Sequence, residues 1–125
     1  MNQLLLIGLG GGIGAMLRYL VVSGVARLNL ADFPYSIVLI NILGSFLMGL
    51  LVSVGAQQLP LSAEVRTFLG VGLLGGFTTF SAFSLDVVTL MQRGETIPAL
   101  IYMVSSVTLS VIALAVGISL WRVAS

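Results

Sequence analysis

The sequence predicts an all-α membrane protein with four transmembrane helices in a single domain, residues 1–125. Of the 125 residues, 58% are hydrophobic and 7% are charged, whereas a soluble globular domain carries about 25% charged residues. Four apolar stretches are long enough to cross a bilayer, which takes roughly 20 residues each. They run approximately over residues 3–26, 34–57, 66–90 and 96–121. The connections between them are short, so we expect no extramembrane domain.

The composition also argues against an enzyme. The chain has no Cys and no His, and it has only four carboxylates. A general base that works near neutral pH is most often a His or a carboxylate with a shifted pKa, so catalysis is disfavoured. Disulfides and thiolate chemistry are excluded. The first apolar stretch lacks a preceding basic region and is longer than the core of a typical signal peptide, so we interpret it as a retained helix.

The arginines are divided almost evenly between the two sides of the predicted membrane. Arg66 and Arg122 lie on the side of the N-terminus, Arg27 and Arg93 lie on the other side, and Arg18 lies within the first helix near that second side. The Arg and Lys bias between the two sides sets orientation, and this chain has no Lys. Both insertion in two orientations and a weak single preference remain open. Two oppositely inserted copies could pair about an axis in the membrane plane.

The first helix contains GLGGGIGAMLRY, residues 8–19. This stretch fits the GxGxxA form of the dinucleotide-binding fingerprint, but that fingerprint requires a strand before its helix, and here further apolar spans follow. Close helix packing explains the glycines better, because pairs of small residues four apart let two backbones approach. The pairs are Gly8/Gly12, Gly10/Gly14 and Gly11/Ala15. Arg18 either reaches the helix end or places a positive charge at the mouth of an aqueous pathway.

The second and fourth helices each carry polar residues on one face. The second helix begins at Pro34 and places Ser45 one turn after Asn41. An Asn amide can donate two hydrogen bonds, either to a neighbouring helix or to an anion in a pore. The fourth helix carries hydroxyls at intervals of four, on Tyr102, Ser106 and Ser110. Three hydroxyls in register predict a face that is hydrated or shared with another helix.

The third helix contains GGFTTFSAFSLD, residues 75–86. We predict a helix break that begins at Gly75-Gly76 and extends to Thr79. It would free carbonyls that protein, water or an ion must satisfy, and such carbonyls can bind cations. After the break, Phe80 and Phe83 share one face. Ser81 and Ser84 form a neighbouring polar face. The phenylalanines either pack as ordinary apolar residues or present positive ring edges to an anion.

Three stretches in order, GGGIGAMLRY (10–19), NILGSFLMG (41–49) and GGFTTFSAFSLD (75–86), resemble the Fluc (CrcB) family of small fluoride channels, and the resemblance covers the whole chain. It implies an antiparallel homodimer with two fluoride pathways in a prokaryotic plasma (inner) membrane, and passive fluoride efflux that gives fluoride resistance. The expected partners are a second copy, fluoride and the lipid bilayer. No nucleic-acid partner is expected.

The resemblance also implies roles for individual residues. Carbonyls of Gly75 and Thr78 from both subunits would hold a structural sodium ion on the two-fold axis. Arg18 matches the family's first-helix arginine, which we place at the pore vestibule, and Asp86 falls at an acidic position to which we assign no role. The implied fluoride pathway consists of Asn41, Phe80, Phe83, Ser81, Ser84, Tyr102, Ser106 and Ser110.

Two alternatives to a fluoride channel remain open. A small multidrug-type proton antiporter also has four short helices, but it needs a carboxylate within the membrane, for which Asp86 is the only candidate. A non-transporting assembly subunit would use the glycines and hydroxyls for packing alone.

Overall fold

A computed structural model of the chain describes residues 2–28, 33–57 and 61–124. Within these ranges the secondary structure is entirely helical. Four helical regions are long and apolar enough to cross a membrane, Gln3–Arg27, Tyr35–Gly55, Ala63–Gln92 and Thr96–Leu120, which confirms the predicted four-span all-α class. The helices are α1 (Gln3–Arg27), α2 (Tyr35–Gln57), α3 (Ala63–Arg66), a π-helix (Thr67–Leu74), α4 (Gly75–Phe77), α5 (Phe80–Gln92) and α6 (Thr96–Ala124).

The helix ends follow local signals in the sequence. The Asn2 side chain accepts the Leu4 N–H at 2.8 Å and caps α1. Between α5 and α6 the chain turns at Gly94, whose φ is +78°, a conformation that glycine adopts without steric cost. The Gly94 N–H bonds the Met91 carbonyl and the Glu95 N–H bonds the Leu90 carbonyl, which is the Schellman pattern. This turn joins two antiparallel helices with three residues.

The third span, Ala63–Gln92, is interrupted after Phe77 and therefore has two halves. Residues 63–77, which we call the first half, are helical throughout, and α5 is the second half. The predicted break covers Gly75–Thr79. Within this range Gly75 and Gly76 are helical, and extended backbone occurs at Thr78 (ψ 159°) and Thr79 (φ −153°, ψ 121°). The interruption therefore lies just after the glycine pair.

The first half packs against α1 through glycines on both sides. A Cβ atom on Gly10 would lie 2.7 Å from the Phe68 carbonyl oxygen, and one on Gly76 would lie 2.8 Å from the Gly11 Cα atom. A Cβ atom on Gly14 would meet the Leu73 carbonyl oxygen. The predicted packing role of Gly10/Gly14 is therefore confirmed. Gly8 and Gly12 have no such neighbour among the described residues.

The helices α2 and α6 form a second close contact. A Cβ atom on Gly117 would meet the Phe46 carbonyl oxygen, and one on Gly49 would meet the Leu114 carbonyl oxygen. One turn beyond Gly49, the Ser53 hydroxyl donates to the Ile118 carbonyl oxygen at 3.1 Å. Backbones this close need residues without side chains at the crossing point.

The buried core is small because most apolar side chains face outward. Ile40, Ala99 and Tyr102 are fully buried in a cluster formed between α2, α4, α5 and α6. Many large apolar residues on the outer faces are exposed, for example Leu4, Val104 and Val111. A surface of this kind suits contact with lipid, in which apolar side chains cost nothing to expose.

Candidate functional site

A cavity of about 320 Å³ lies between α2, the start of the second half of the third span and α6. Its wall combines apolar side chains with hydroxyl and amide groups. Among the described residues that line it, none carries a charge. The lining consists of Asn41, Gly44, Ser45, Met48, Leu74, Thr78, Thr79, Phe80, Phe83, Ser106, Val107, Ser110 and Leu114.

Asn41 pairs with both backbone groups of Thr79. The Asn41 side-chain oxygen accepts the Thr79 N–H at 2.9 Å, and the Asn41 side-chain nitrogen donates to the Thr79 carbonyl oxygen at 3.1 Å. A side-chain amide thus takes the place of a backbone partner opposite an extended residue. Since the Asn amide has two N–H groups, one remains for another acceptor.

Three aromatic rings stack beside the cavity. The ring centroids of Phe80 and Phe83 are 5.5 Å apart, and the Phe83 ring stacks on Tyr102 with centroids 5.1 Å apart and an angle of 22°. Tyr102 is fully buried, whereas Phe80 is 76% exposed. Phe83 therefore belongs to both the core and the cavity wall, and Phe80 lines the cavity with most of its surface exposed.

Two serine hydroxyls on α6 lack a hydrogen-bond partner in the described chain. Within the described chain, the Ser106 and Ser110 side-chain oxygens are buried and have no hydrogen-bond partner. Buried polar groups in folded proteins normally have a partner, and an exception calls for an explanation. Both residues line the cavity, so an ion or water inside it would satisfy them.

The serines of α5 have closer partners. The Ser84 hydroxyl donates to the Phe80 carbonyl oxygen at 3.0 Å, which is the bond to the preceding turn that Ser commonly makes in membrane helices. The Ser81 oxygen lies 3.4 Å from the Thr79 side-chain oxygen. Both serines are exposed, and neither is among the residues that line the cavity.

Asp86, to which the sequence assigns no role, pairs with Tyr102. The Tyr102 hydroxyl donates to the Asp86 carboxylate at 2.9 Å. This bond joins α5 to α6. The Tyr102 ring remains stacked on Phe83.

Arg18 reaches the extended segment from α1. Its guanidinium donates to the Thr78 carbonyl oxygen at 3.3 Å. Thr78 and Thr79 thus have side-chain partners on two different helices, Arg18 on α1 and Asn41 on α2. The arginine is half-buried, and its hydrogen bond to Thr78 places its charge beside the extended segment.

The structure brings together part of the predicted pathway. Five of its residues line the cavity, and Ser81, Ser84 and Tyr102 do not. The residue that sequence reasoning missed is Thr79, which is 8% exposed and caps α5 by accepting the Ala82 N–H at 3.1 Å. A Thr just before a helical run is a recognised N-cap signal, and it would have placed the start of α5 correctly. The five lining residues from the prediction are Asn41, Phe80, Phe83, Ser106 and Ser110.

The fold and the cavity define a class of protein: a four-span helical membrane protein with a cavity lined by neutral hydrogen-bonding groups and aromatic rings. Residues 5–118 match the family model described as "CrcB-like protein, Camphor Resistance (CrcB)". The chain therefore belongs to the CrcB family, and the resemblance predicted from the three motifs is confirmed.

Individual relatives extend this match to nearly the full length. The chain is 49% identical to the "Fluoride-specific ion channel FluC" of Mesorhizobium japonicum over 122 residues, which cover 98% of both chains. It is 48% identical to the protein of the same name from Chelativorans sp. (strain BNC1) and 44% identical to that of Rhizobium meliloti, with the same coverage.

Proposed function

We propose that this chain is the subunit of a fluoride channel that lets fluoride leave the cell passively across the plasma (inner) membrane. The observation that carries this proposal is the cavity, whose wall offers amide, hydroxyl and aromatic groups and no charged side chain. The relatives are named as fluoride-specific ion channels. Such a channel lowers the concentration of fluoride in the cytoplasm without an energy source.

Neutral donors suit conduction of a small anion. Fluoride is strongly hydrated, so the pathway must replace its water shell, and binding must stay weak enough for release. The unpaired hydroxyls of Ser106 and Ser110 and the remaining N–H of Asn41 are such donors. Ring edges of Phe80 and Phe83 add partial positive charge. Asp86 lies outside the cavity lining and is held by Tyr102, so its negative charge is kept from the pathway.

The functional unit that we propose is an antiparallel homodimer with a broken third helix in each subunit. The evenly divided arginines support insertion in both orientations. The 76% exposure of Phe80 supports a second copy, because this ring would then complete a pathway that one subunit leaves open. Tags on the two termini, tested for access from each side of the membrane, check this arrangement: finding every molecule in one orientation would contradict it.

We also propose a structural sodium ion held by the Gly75 and Thr78 carbonyls of both subunits. The backbone is suited to it. The Thr79 N–H would bond the Gly75 carbonyl in a continuous helix, but it bonds Asn41 instead. The Thr78 carbonyl accepts one bond from Arg18 and has a second lone pair. The ion would stabilise the assembly, so replacing sodium by a large organic cation should lower the thermal stability of the purified dimer.

Fluoride efflux from liposomes tests the proposed function. Purified protein is reconstituted into vesicles loaded with potassium fluoride, a potassium ionophore is added, and a fluoride electrode follows efflux. We expect rapid efflux from vesicles with the protein and almost none from vesicles with the double variant Phe80→Ile, Phe83→Ile. Undiminished efflux through the double variant would contradict the pathway assignment, and absence of efflux from the unmodified protein would contradict the function.

The same vesicles separate the two other classes. A proton flux that depends on an added cationic drug would indicate the antiporter. Absence of both fluxes would indicate a non-transporting subunit.

A further inference from the structure

We infer that Asn41 is a positioning residue that holds Thr78 and Thr79 extended and thereby orients the phenylalanines of α5. This role is separate from donation to the ion, which the family resemblance implies for Asn41 and for which its second amide N–H remains. Its consequence for fluoride flux rests on the proposed function.

The first support is the pairing itself. Asn41 accepts from the Thr79 N–H and donates to the Thr79 carbonyl, so a single side chain satisfies both polar backbone groups of that residue. In the membrane interior an extended residue without such a partner would leave both groups unsatisfied, which is strongly unfavourable. Because the described residues include no strand beside Thr79, the amide of Asn41 serves as the partner that a strand would provide.

The second support is the surface of α2 one turn later. Gly44 lies three residues after Asn41 on the same helical face, and a Cβ atom on Gly44 would overlap the Thr78 methyl group. The two α2 positions therefore accommodate consecutive residues of the extended segment, Asn41 by hydrogen bonds and Gly44 by the absence of a side chain. Two independent contacts on one face of α2 indicate that this face is complementary to the extended segment.

The third support is what the pairing prevents. In a continuous helix the Thr79 N–H would close on the Gly75 carbonyl. Asn41 holds that N–H, so the segment cannot relax into a helix without breaking the bond. Thr79 is then free to cap α5, and Phe80 is the first residue of that helix. The direction of α5, and with it the placement of both phenylalanine rings, depends on where Asn41 fixes Thr79.

Hydrogen exchange at the Thr79 amide, measured without fluoride, tests the pairing directly. The protein is labelled with ¹⁵N-threonine in detergent, and a Thr79→Ser variant assigns the signal. We expect slow exchange in the unmodified protein. Asn41→Ala should accelerate it by about tenfold or more, since it removes the acceptor. Asn41→Asp should accelerate it less, because an aspartate still accepts the Thr79 N–H but cannot donate to the Thr79 carbonyl.

Ser45→Ala is the matched control, because Ser45 lies one turn along α2 and lines the same cavity. Its Thr79 amide should exchange as slowly as that of the unmodified protein. Equal exchange in the unmodified protein and in Asn41→Ala would overturn the inference. If Asn41→Ala does not fold, Asn41→Leu takes its place, because leucine has a similar shape and no acceptor. Exchange as slow as in the unmodified protein would overturn the inference equally.

A double-mutant cycle on fluoride efflux separates positioning from ion binding. Thr79 is replaced by its α-hydroxy acid, which converts its amide to an ester and removes the N–H while leaving the Asn41 side chain intact. If Asn41 acts through Thr79, the ester should slow efflux by about tenfold. Adding Asn41→Ala should then cost clearly less than it costs in the unmodified protein, since both changes remove the bond to the Thr79 N–H. Fully additive losses would show that Asn41 acts on the ion alone and would overturn the positioning role.

The two readouts distinguish failure of this inference from failure of the proposed function. A protected Thr79 amide in a protein without fluoride efflux would contradict the function and support the positioning role. Rapid efflux with an unprotected amide would support the function and overturn the positioning role.

Discussion

The two halves of the third span contact the rest of the molecule by different means. The first half, residues 63–77, meets α1 backbone to backbone, and a Cβ atom on Gly72 or Gly76 would fall 3.1 Å or less from an α1 Cα atom. The second half, α5, meets α6 through side chains, by the Phe83–Tyr102 stack and the Tyr102–Asp86 hydrogen bond. The contact of the first half consists of backbone atoms along two helices, and that of the second half consists of a few separate side chains.

The difference also appears in what each half leaves open. Along the first half the glycines leave no space for an added methyl group against α1. Along the second half, Phe80, Ser81 and Ser84 are exposed, and the cavity opens at its start. Two extended residues, Thr78 and Thr79, thus connect the close-packed first half to the more exposed second half. Arg18 on α1 and Asn41 on α2 donate hydrogen bonds to these two residues.

The glycines of this chain therefore fall into two kinds. At Gly72 and Gly76 of the first half, the lack of a side chain allows a backbone contact with α1 that an added Cβ atom would obstruct. On Gly8, Gly12 and Gly24 of α1 the same residue type has no neighbour within contact distance in the described chain. The effect of a substitution therefore depends on the facing helix and cannot be inferred from the glycine itself.

The largest effect should follow from filling the glycine contact. In Gly14→Ala the new methyl group would meet the Leu73 carbonyl oxygen and lie 2.7 Å from the Phe77 nitrogen. Both are backbone atoms and cannot move without shifting a helix, so we expect the free energy of unfolding in mixed micelles to fall by about 3 kcal/mol. Denaturation by sodium dodecyl sulfate measures this change.

Gly24→Ala is the control on the same helix, because a Cβ atom at Gly24 has no neighbour within 4 Å. Its stability should stay equal or rise by about 0.5 to 1 kcal/mol, the usual gain from glycine to alanine inside a helix. Equal losses in the two variants would contradict the proposed importance of the α1 contact.

The next largest effect on stability should distinguish Phe83 from Phe80, the two phenylalanines of the second half. Phe83→Ile should reduce stability by about 1 to 2 kcal/mol, because it removes the stack on Tyr102. Phe80→Ile should change the stability of the isolated subunit by less than about 0.5 kcal/mol, since Phe80 is mostly exposed. Both variants should lower the rate of fluoride efflux by at least about tenfold, an increase of about 1.4 kcal/mol in the barrier.

Leu85→Ile serves as the control for this pair. Leu85 lies on α5, is 66% exposed and does not line the cavity, so its efflux and stability should both be unchanged. Loss of efflux in all three variants would show that any change on α5 blocks transport and that the phenylalanines have no special part.

The contacts of the second half were the harder ones to predict from the sequence. The four spans and the Gly10/Gly14 contact follow from composition and spacing, because both are local properties. Asp86 and Tyr102 lie on different helices, and their hydrogen bond depends on how α5 and α6 align after the Gly94 turn. No periodicity within one helix contains that information.

The position of the extended segment illustrates the same limit. The glycine pair is a weak helical point of the third span, since glycine disfavours helix by about 1 kcal/mol per residue. Yet Gly75 and Gly76 stay helical while Thr78 and Thr79 extend. The deciding interaction is the pairing of Asn41 with Thr79, across 38 residues of sequence. The sequence alone shows an amide and a threonine, each with several possible partners.

A smaller effect should come from the hydrogen bond between the second half and α6. Tyr102→Phe keeps the ring stacked on Phe83 but leaves the Asp86 carboxylate without its donor, so we expect a loss of about 1 to 2 kcal/mol. Adding Asp86→Asn should cost less in that background than in the unmodified protein, because neighbouring sites couple. Tyr35→Phe, at an exposed tyrosine, should be neutral, and a loss there equal to that of Tyr102→Phe would contradict a specific bond.

The smallest change in stability should accompany a clear change in transport. Ser106→Ala and Ser110→Ala each remove a buried hydroxyl that has no partner within the described chain. Removing an unsatisfied polar group costs nothing in folding, so stability should stay within about 0.5 kcal/mol or rise. If these hydroxyls replace water around fluoride, each loss should raise the barrier by about 1 kcal/mol and slow efflux about fivefold.

Ser105→Ala is the neighbouring control, since the Ser105 hydroxyl donates to the Tyr102 carbonyl oxygen and Ser105 does not line the cavity. Its efflux should be unchanged. Slower efflux with unchanged or higher stability in the Ser106 and Ser110 variants, and no change at Ser105, would mark the α6 side of the cavity wall as a surface that serves the ion. A loss of stability without a loss of efflux would instead assign both serines to packing.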